Sequence, residues 1–96
     1  MSAYLVVHVD ISDIDQYREY TKLTPPIVEE YGGKFIARGG DVVTLEGPEE
    51  TRRIVIIEFP SINAAKAFYY SEEYTKAIEL RKDAADFELV AIEGLN

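Results

Sequence analysis

The chain of 96 residues carries ten Lys and Arg against eighteen Asp and Glu, which gives a formal net charge of −8. This length supports one domain, residues 1–96, and the 47% hydrophobic content is typical of a globular protein rather than a disordered chain. The acidic balance and the scattered basic residues argue against a nucleic-acid partner and against an anionic membrane surface.

The chain contains no cysteine and one histidine, His8. A disulfide framework and a thiolate zinc site are therefore excluded, and we expect neither a metal site nor a bound cofactor. No apolar run approaches the ~20 residues that span a bilayer, and the N-terminus lacks the basic region of a signal peptide. These features predict a cytoplasmic protein without a membrane partner.

The first part of the chain predicts a strand followed by a helix. Ala3–Ile11 is short and rich in β-branched residues, which indicates a strand. Ser12 or Asp13 can cap a helix that ends at Gly32-Gly33. The predicted inward positions of this helix are Ile14, Tyr17, Tyr20, Thr24, Ile27 or Val28, and Tyr31. Pro25-Pro26 interrupts the pattern, so we expect a kink or a restart of the helix there.

The middle of the chain predicts two further strands. Lys34–Arg38 is the first of them, and Gly39-Gly40 after it permits a bulge or bend. Asp41–Glu46 is predicted to resume extended structure. Arg53–Phe59 is an almost continuous apolar run that ends at Pro60, which indicates a strand.

The last part predicts a broken helix and a final strand, Asp86–Glu93. Ser61 caps the helix and Ser71 caps it again, with inward positions at Ala64, Ala67, Phe68, Tyr74, Ile78 and Arg81. The resulting order, β-α-β-β-α-β, predicts an α+β ferredoxin-like fold with a four-stranded antiparallel sheet and both helices on one face.

Apolar residues occupy both faces of the predicted sheet. One parity contains Val7, Val9, Val55 and Ile57, and the other contains Val6, Ile54, Ile56, Val90 and Ile92. Two helices cover one face, so the other would exceed the apolar patches of roughly 300–600 Å² that monomers tolerate. We therefore expect a homodimer formed by packing sheet against sheet. The alternative is that strand curling or the Asp41–Glu46 segment covers this face.

Several short segments carry a family resemblance. In chain order they are Tyr31-Gly32-Gly33-Lys34-Phe35, Arg38-Gly39-Gly40, Leu45-Glu46-Gly47, Ile57-Glu58-Phe59-Pro60-Ser61, Ala67-Phe68-Tyr69-Tyr70-Ser71-Glu72-Glu73-Tyr74 and Arg81. Through them the chain resembles the uncharacterised domain-of-unknown-function family thirteen-thirty, within the dimeric α/β-barrel superfamily. Phe68 departs from the family pattern, which has Trp there. The resemblance implies a dimer whose two sheets form a barrel with ligand-sized cavities, and it implies no reaction.

Three polar residues of the strands form the first candidate site. His8, Arg38 and Glu58 each lie two residues from an apolar residue of the uncovered face, so all three are predicted to border one cavity there. Arg38 and Glu58 would hold a polar ligand and His8, the candidate catalytic residue, would move a proton. The alternative is a structural ion pair between Arg38 and Glu58 beside a hydrogen-bonded His8.

The broken helix carries the second candidate group, Tyr70, Ser71, Tyr74 and Arg81. These residues would line the mouth of a ligand pocket. The alternative, which we favour, is that Ser71 caps a helix, the tyrosines pack in the core and Arg81 binds a carboxylate of a neighbouring strand.

Three functions remain open from the sequence. The first is a cofactor-independent isomerase or oxygenase that acts by proton transfer on a small molecule. The second is a non-catalytic binding or regulatory module for a metabolite. The third is a structural dimer without a ligand. A cavity that contains His8 would favour the first, and a filled barrel the third.

Overall fold

The four predicted strands pair into one antiparallel sheet in the computed structural model, which describes residues 1–95. The strands are β1 (Ala3–Ile11), β2 (Lys34–Arg38), β3 (Arg53–Phe59) and β4 (Ala85–Glu93). Their order in the sheet is β2-β3-β1-β4, so the two central strands are β1 and β3. This arrangement confirms the predicted α+β ferredoxin-like fold.

Three helices cover one face of the sheet: α1 (Ile14–Glu30), α2 (Ile62–Tyr69) and α3 (Glu72–Arg81). Each begins at a side-chain cap. Asp13 accepts a hydrogen bond from the Gln16 backbone N–H, Ser61 from that of Ala64, and Ser71 from that of Tyr74. The predicted second cap at Ser71 is therefore confirmed, and it divides the last helical region into α2 and α3.

α1 runs through Pro25 and Pro26 as one helix, so the restart that was one of the two expectations does not occur. Proline has no backbone N–H, so Pro25 leaves the Thr21 carbonyl without its helical donor. Two side chains replace that donor: the Thr24 hydroxyl donates to the Thr21 carbonyl at 3.4 Å and Arg38 donates to it at 3.2 Å. These contacts explain how the helix tolerates Pro25.

Alternate residues of the strands are buried under the helices, as the predicted parity requires. Val7, Val9, Val55 and Ile57 are all buried, which confirms the face assigned to them. The core also contains Leu5, Phe59, Tyr17, Tyr20, Val28, Ala65, Phe68, Tyr74 and Ala77. Two predicted inward positions are wrong: Ile14 is 47% exposed, and Ala67 is exposed where Ala65 is buried. The predicted inward residues Tyr31, Ala64 and Ile78 are half-buried and pack against the core.

The opposite face of the sheet, here called the open face, has no helix on it. Val90 and Ile92 are 63% and 61% exposed there, and Val6, Ile54 and Ile56 are partly exposed. The segment 40–52 contains no strand, so Asp41–Glu46 adds none to the sheet. Leu45 in that segment is 93% exposed. Within residues 1–95, neither this segment nor strand curling covers the open face.

Among residues 1–95, no helix combines the length and the apolar character needed to cross a membrane.

Candidate functional site

Arg38 does not lie on the open face. Lys34 and Phe35 pair with Glu58 and Ile57, but the register then shifts by one residue, so Ala37 pairs with Ile56 and Arg38 with Val55. Ile36 is the extra residue of this bulge, and every later side chain of β2 therefore changes face. The predicted bulge at Gly39-Gly40 comes too late in the chain, and the prediction that Arg38 shares a face with Glu58 is wrong.

His8 and Glu58 do share the open face, but they do not meet. His8 is opposite Ile54, whereas Glu58 is opposite Tyr4, four residues away along β1 and so about 13 Å distant. Glu58 accepts a hydrogen bond from the Tyr4 hydroxyl at 3.3 Å and lies 3.7 Å from the Lys34 ammonium. The alternative ion pair between Arg38 and Glu58 is therefore absent as well.

A charged cluster surrounds His8 at the other end of the open face. The His8 Nε2 lies 3.7 Å from Glu50, and Glu50 accepts hydrogen bonds from the backbone N–H and the guanidinium of Arg52. These bonds lower the pKa of Glu50 to about 2. Arg52 also pairs with Glu88 on β4. The cluster fastens the segment 40–52 to the sheet.

The second predicted group divides between the surface and the core. Tyr70 is 75% exposed, and Ser71 serves as the cap of α3. Tyr74 and Arg81 are buried at 1% and 8% exposure. The packing alternative is thus correct for Ser71 and Tyr74. It is wrong for Arg81, which forms no ion pair with a carboxylate of residues 1–95.

Aromatic rings surround the Arg81 guanidinium instead of a carboxylate. Its Cζ lies 3.7 Å from the centre of the Phe87 ring, 5.4 Å from that of Tyr20 and 5.9 Å from that of Tyr74. Such contacts stabilise a desolvated cation by about 2 kcal/mol. Arg81 also donates a long hydrogen bond, 3.5 Å, to the Tyr74 hydroxyl, and within residues 1–95 its Nε has no partner.

A cavity of about 30 Å³, here called the inner cavity, lies between the sheet and α1. This volume accommodates one or two water molecules. Its walls are mostly aliphatic and aromatic, with Arg38 among the lining residues. The hydroxyl-bearing side chains of the lining are Tyr17, Tyr20, Thr21, Thr24 and Tyr74. Neither His8 nor Glu58 contributes to it.

The hydroxyl oxygens of Tyr20 and Tyr74 are 2.6 Å apart beside the inner cavity. Burial, and then the neighbouring Tyr74, raises the pKa of Tyr20 well above its ordinary value. Burial also raises the pKa of Tyr17, against the opposing effect of Arg53. Both hydroxyls therefore keep their protons at neutral pH and serve as hydrogen-bond donors.

Sequence reasoning assigned Tyr17 and Tyr20 to the core and missed them as candidate site residues. Their positions in the helical pattern indicated burial, and a buried tyrosine hydroxyl needs a polar partner. That requirement was the available signal. It did not identify the partners, because these come from α3 and β3, far away in the sequence.

A second, solvent-open groove of about 420 Å³ lies between α2 and β4. Tyr70, Tyr69 and Lys66 border it. In the described part of the chain, no cluster of three or more His, Asp or Glu side chains is arranged to hold a metal ion.

Three solved structures share this fold. RPA0582, a protein of unknown function from Rhodopseudomonas palustris, is 23% identical with a TM-score of 0.80, over 99% of this chain and 83% of that chain. A dimeric ferredoxin-like protein of unknown function from Jannaschia sp. CCS1 is 13% identical with a TM-score of 0.71, over 98% and 100%. SnoaB, a cofactor-independent oxygenase from Streptomyces nogalater, is 8% identical with a TM-score of 0.70, over 99% and 94%. At these identities the likeness shows the fold alone.

The sequence has no match among curated proteins. It does match one family model, described as a domain of unknown function, DUF1330, over residues 2–95. The match covers nearly the whole chain and confirms the resemblance to family thirteen-thirty carried by the Gly-Gly, Ile-Glu-Phe-Pro-Ser and Tyr-Tyr-Ser-Glu-Glu-Tyr segments. The chain therefore belongs to the DUF1330 family.

Proposed function

We propose that this protein binds a small molecule in the inner cavity, between the sheet and α1. The observation that carries the proposal is the lining, which combines apolar walls with a few convergent hydroxyls and Arg38. Ligand sites of proteins have this composition. The cavity is about 30 Å³, so a ligand larger than two water molecules requires the lining side chains, Arg38 among them, to move.

The geometry supports a binding role better than the proton-transfer reaction expected from His8. His8 lies on the open face and not in the inner cavity. Tyr17 and Tyr20 line the cavity, and their raised pKa values keep both hydroxyls protonated at neutral pH, so neither acts as a base there. The likeness to SnoaB, a cofactor-independent oxygenase, supports the fold alone. It does not identify a residue of this chain that would transfer a proton in an isomerase or oxygenase reaction.

We also propose that the open face is covered by a second copy of the chain, sheet against sheet. The middle of this face is apolar, and it is flanked by the Tyr4–Glu58–Lys34 contacts at one end and the His8–Glu50–Arg52 cluster at the other. An apolar centre with polar ends is the usual anatomy of an interface. Two structural neighbours are described as dimeric ferredoxin-like proteins.

Sedimentation equilibrium at micromolar concentration tests the homodimer. Ile92→Asp places a carboxylate in the centre of the open face, and we expect it to shift the mass toward that of one chain, 10.9 kDa. Leu23→Asp is the matched control, because Leu23 is exposed on α1, away from the open face. A wild-type mass of one chain throughout the concentration range would overturn the proposal.

A neutral aromatic probe, 4-fluoronitrobenzene, tests the cavity by ¹⁹F NMR. We expect the wild-type protein to bind it and Val55→Phe to lose that binding, because the larger ring fills the inner cavity. Ile92→Phe adds the same ring on the open face and should keep the binding. Equal binding by all three proteins would show that the probe occupies another surface.

A further inference from the structure

The hydroxyls of Tyr20 and Tyr74 carry two protons, and residues 1–95 provide a hydrogen-bond acceptor for one of them. The two oxygens are 2.6 Å apart, so one hydroxyl donates to the other. The second hydroxyl proton has no acceptor in residues 1–95, whichever of the two oxygens carries it. Both side chains line the inner cavity, which is where an acceptor would have to lie.

Arg81 lies next to this hydroxyl pair, and no carboxylate of residues 1–95 neutralises its charge. It is 8% exposed, donates to the Tyr74 hydroxyl and has no acceptor at its Nε. A buried guanidinium without a carboxylate is costly, and none of the eighteen Asp and Glu side chains of residues 1–95 forms an ion pair with it. Because arginine only donates hydrogen bonds, it strengthens the hydroxyl pair as a donor toward a negatively charged group.

A second arginine lies near a tyrosine of the cavity lining. The Arg53 guanidinium is 5.9 Å from the centre of the Tyr17 ring, and its Nε has no partner in residues 1–95. Arg38 reaches the lining as well, and like Arg53 and Arg81 it forms no ion pair within residues 1–95. No Asp or Glu side chain lines the cavity. The site thus offers donors and positive charge without a compensating anion.

We infer that the ligand of the inner cavity is an organic anion. Its carboxylate, phenolate or enolate oxygen accepts a hydrogen bond from the hydroxyl of Tyr20 or Tyr74 that has no acceptor in residues 1–95. The apolar walls hold the body of the ligand, and Arg81 stabilises its charge through the hydroxyl pair. This inference rests on the proposed function, because it requires that the inner cavity admits a ligand.

The test compares two probes of similar shape, 4-fluorobenzoate and neutral 4-fluoronitrobenzene, by ¹⁹F NMR titration. We expect the wild-type protein to bind the benzoate about tenfold more tightly than the nitrobenzene. Arg81→Met should reduce that ratio to about one while leaving the affinity for nitrobenzene in place. Arg18→Met is the matched control, since Arg18 is exposed on α1 and is not among the residues that line the cavity, and it should keep the wild-type ratio.

A second variant, Tyr20→Phe with Tyr74→Phe, removes both hydroxyls and keeps both rings. It should also lose the preference for benzoate, which covers the case in which Arg81→Met does not fold. Binding of both probes with equal affinity would overturn the anion inference and leave the proposed function standing. Binding of neither probe would overturn both the anion inference and the proposed function. A tenfold preference for benzoate that survives in Arg81→Met and in the double tyrosine variant would show that the anion binds at a different site, which also overturns the inference.

Discussion

Arg38 donates a hydrogen bond of 3.2 Å to the backbone carbonyl of Thr21, the carbonyl that Pro25 leaves without its helical donor. The same guanidinium lies 4.4 Å from the centre of the Phe35 ring. One side chain of β2 thus repairs a defect in α1 and lines the inner cavity. The contact exists because the bulge at Ile36 turns Arg38 toward the helices.

This contact predicts an energetic coupling between Arg38 and Pro25. Arg38→Met should lower the free energy of unfolding by about 1 kcal/mol, and the loss should be smaller by about 0.5 kcal/mol in a Pro25→Ala background. The alanine N–H then satisfies the Thr21 carbonyl. Pro26→Ala is the control, because it restores a donor to the carbonyl of Lys22 and not to that of Thr21. Urea denaturation measures each value, and an equal loss in all backgrounds would contradict the coupling.

The sequence predicted the strands and the open face well because these features depend on local alternation. The bounds of β1, β2 and β3 agree with those predicted, and the apolar residues of the two parities lie on opposite faces. The continuity of α1 could not be predicted in the same way. It depends on a side chain from β2 that replaces the N–H missing at Pro25.

The candidate site failed for two reasons: one residue of register moves Arg38 to the other face, and His8 and Glu58 lie about 13 Å apart along the strands. Ile36 has no property that marks it as a bulge, whereas Gly39-Gly40 has the conformational freedom that bulges often use. A shift of one residue moves Arg38 to the other face and separates it from Glu58. The partners of Arg81 were missed for a similar reason: the sequence shows that a buried arginine needs compensation, but not that rings of α1, α3 and β4 supply it.

Gly39 and Gly40 should differ sharply in their tolerance of alanine. Gly39 has a φ of +71°, and a Cβ there would overlap the Arg53 guanidinium. Gly39→Ala should therefore lower the free energy of unfolding by about 2 kcal/mol. Gly40 has nothing within 4 Å of such a Cβ, so Gly40→Ala should change stability by less than about 0.5 kcal/mol. Similar urea midpoints for the two variants would contradict this assignment.

Replacement of Arg81 by methionine should stabilise the protein. The guanidinium gains about 2 kcal/mol from the rings and about 1 kcal/mol from its hydrogen bond, but an unpaired buried cation costs several kcal/mol. The net expectation for Arg81→Met is a free energy of unfolding higher by about 1 kcal/mol, because a flexible apolar side chain fills the same space.

Arg81→Lys provides the contrast, since it keeps the charge and loses the planar group that lies against Phe87. We expect this variant to be less stable than the wild type. Thermal and urea unfolding of the three proteins measure the order. A large loss of stability in Arg81→Met would indicate that Arg81 serves the fold rather than a ligand.

The raised pKa of Tyr20 predicts a loss of stability at alkaline pH. Burial keeps the hydroxyl protonated in the folded protein, whereas the same group in the unfolded chain ionises near pH 10. The stabilisation from this difference is fully present below pH 10, and it is lost as the pH rises from 10 toward the folded-state pKa. The free energy of unfolding should fall by up to about 1.4 kcal/mol per pH unit for this group.

Urea unfolding at pH 9, 10.5 and 11.5 should show a shallower decline in Tyr20→Phe than in the wild type. Tyr17→Phe should also flatten the decline, by less, because Arg53 opposes the effect of burial there. Parallel declines in the wild type and Tyr20→Phe would show that folding does not raise the pKa of Tyr20, which would contradict the burial of its hydroxyl beside Tyr74.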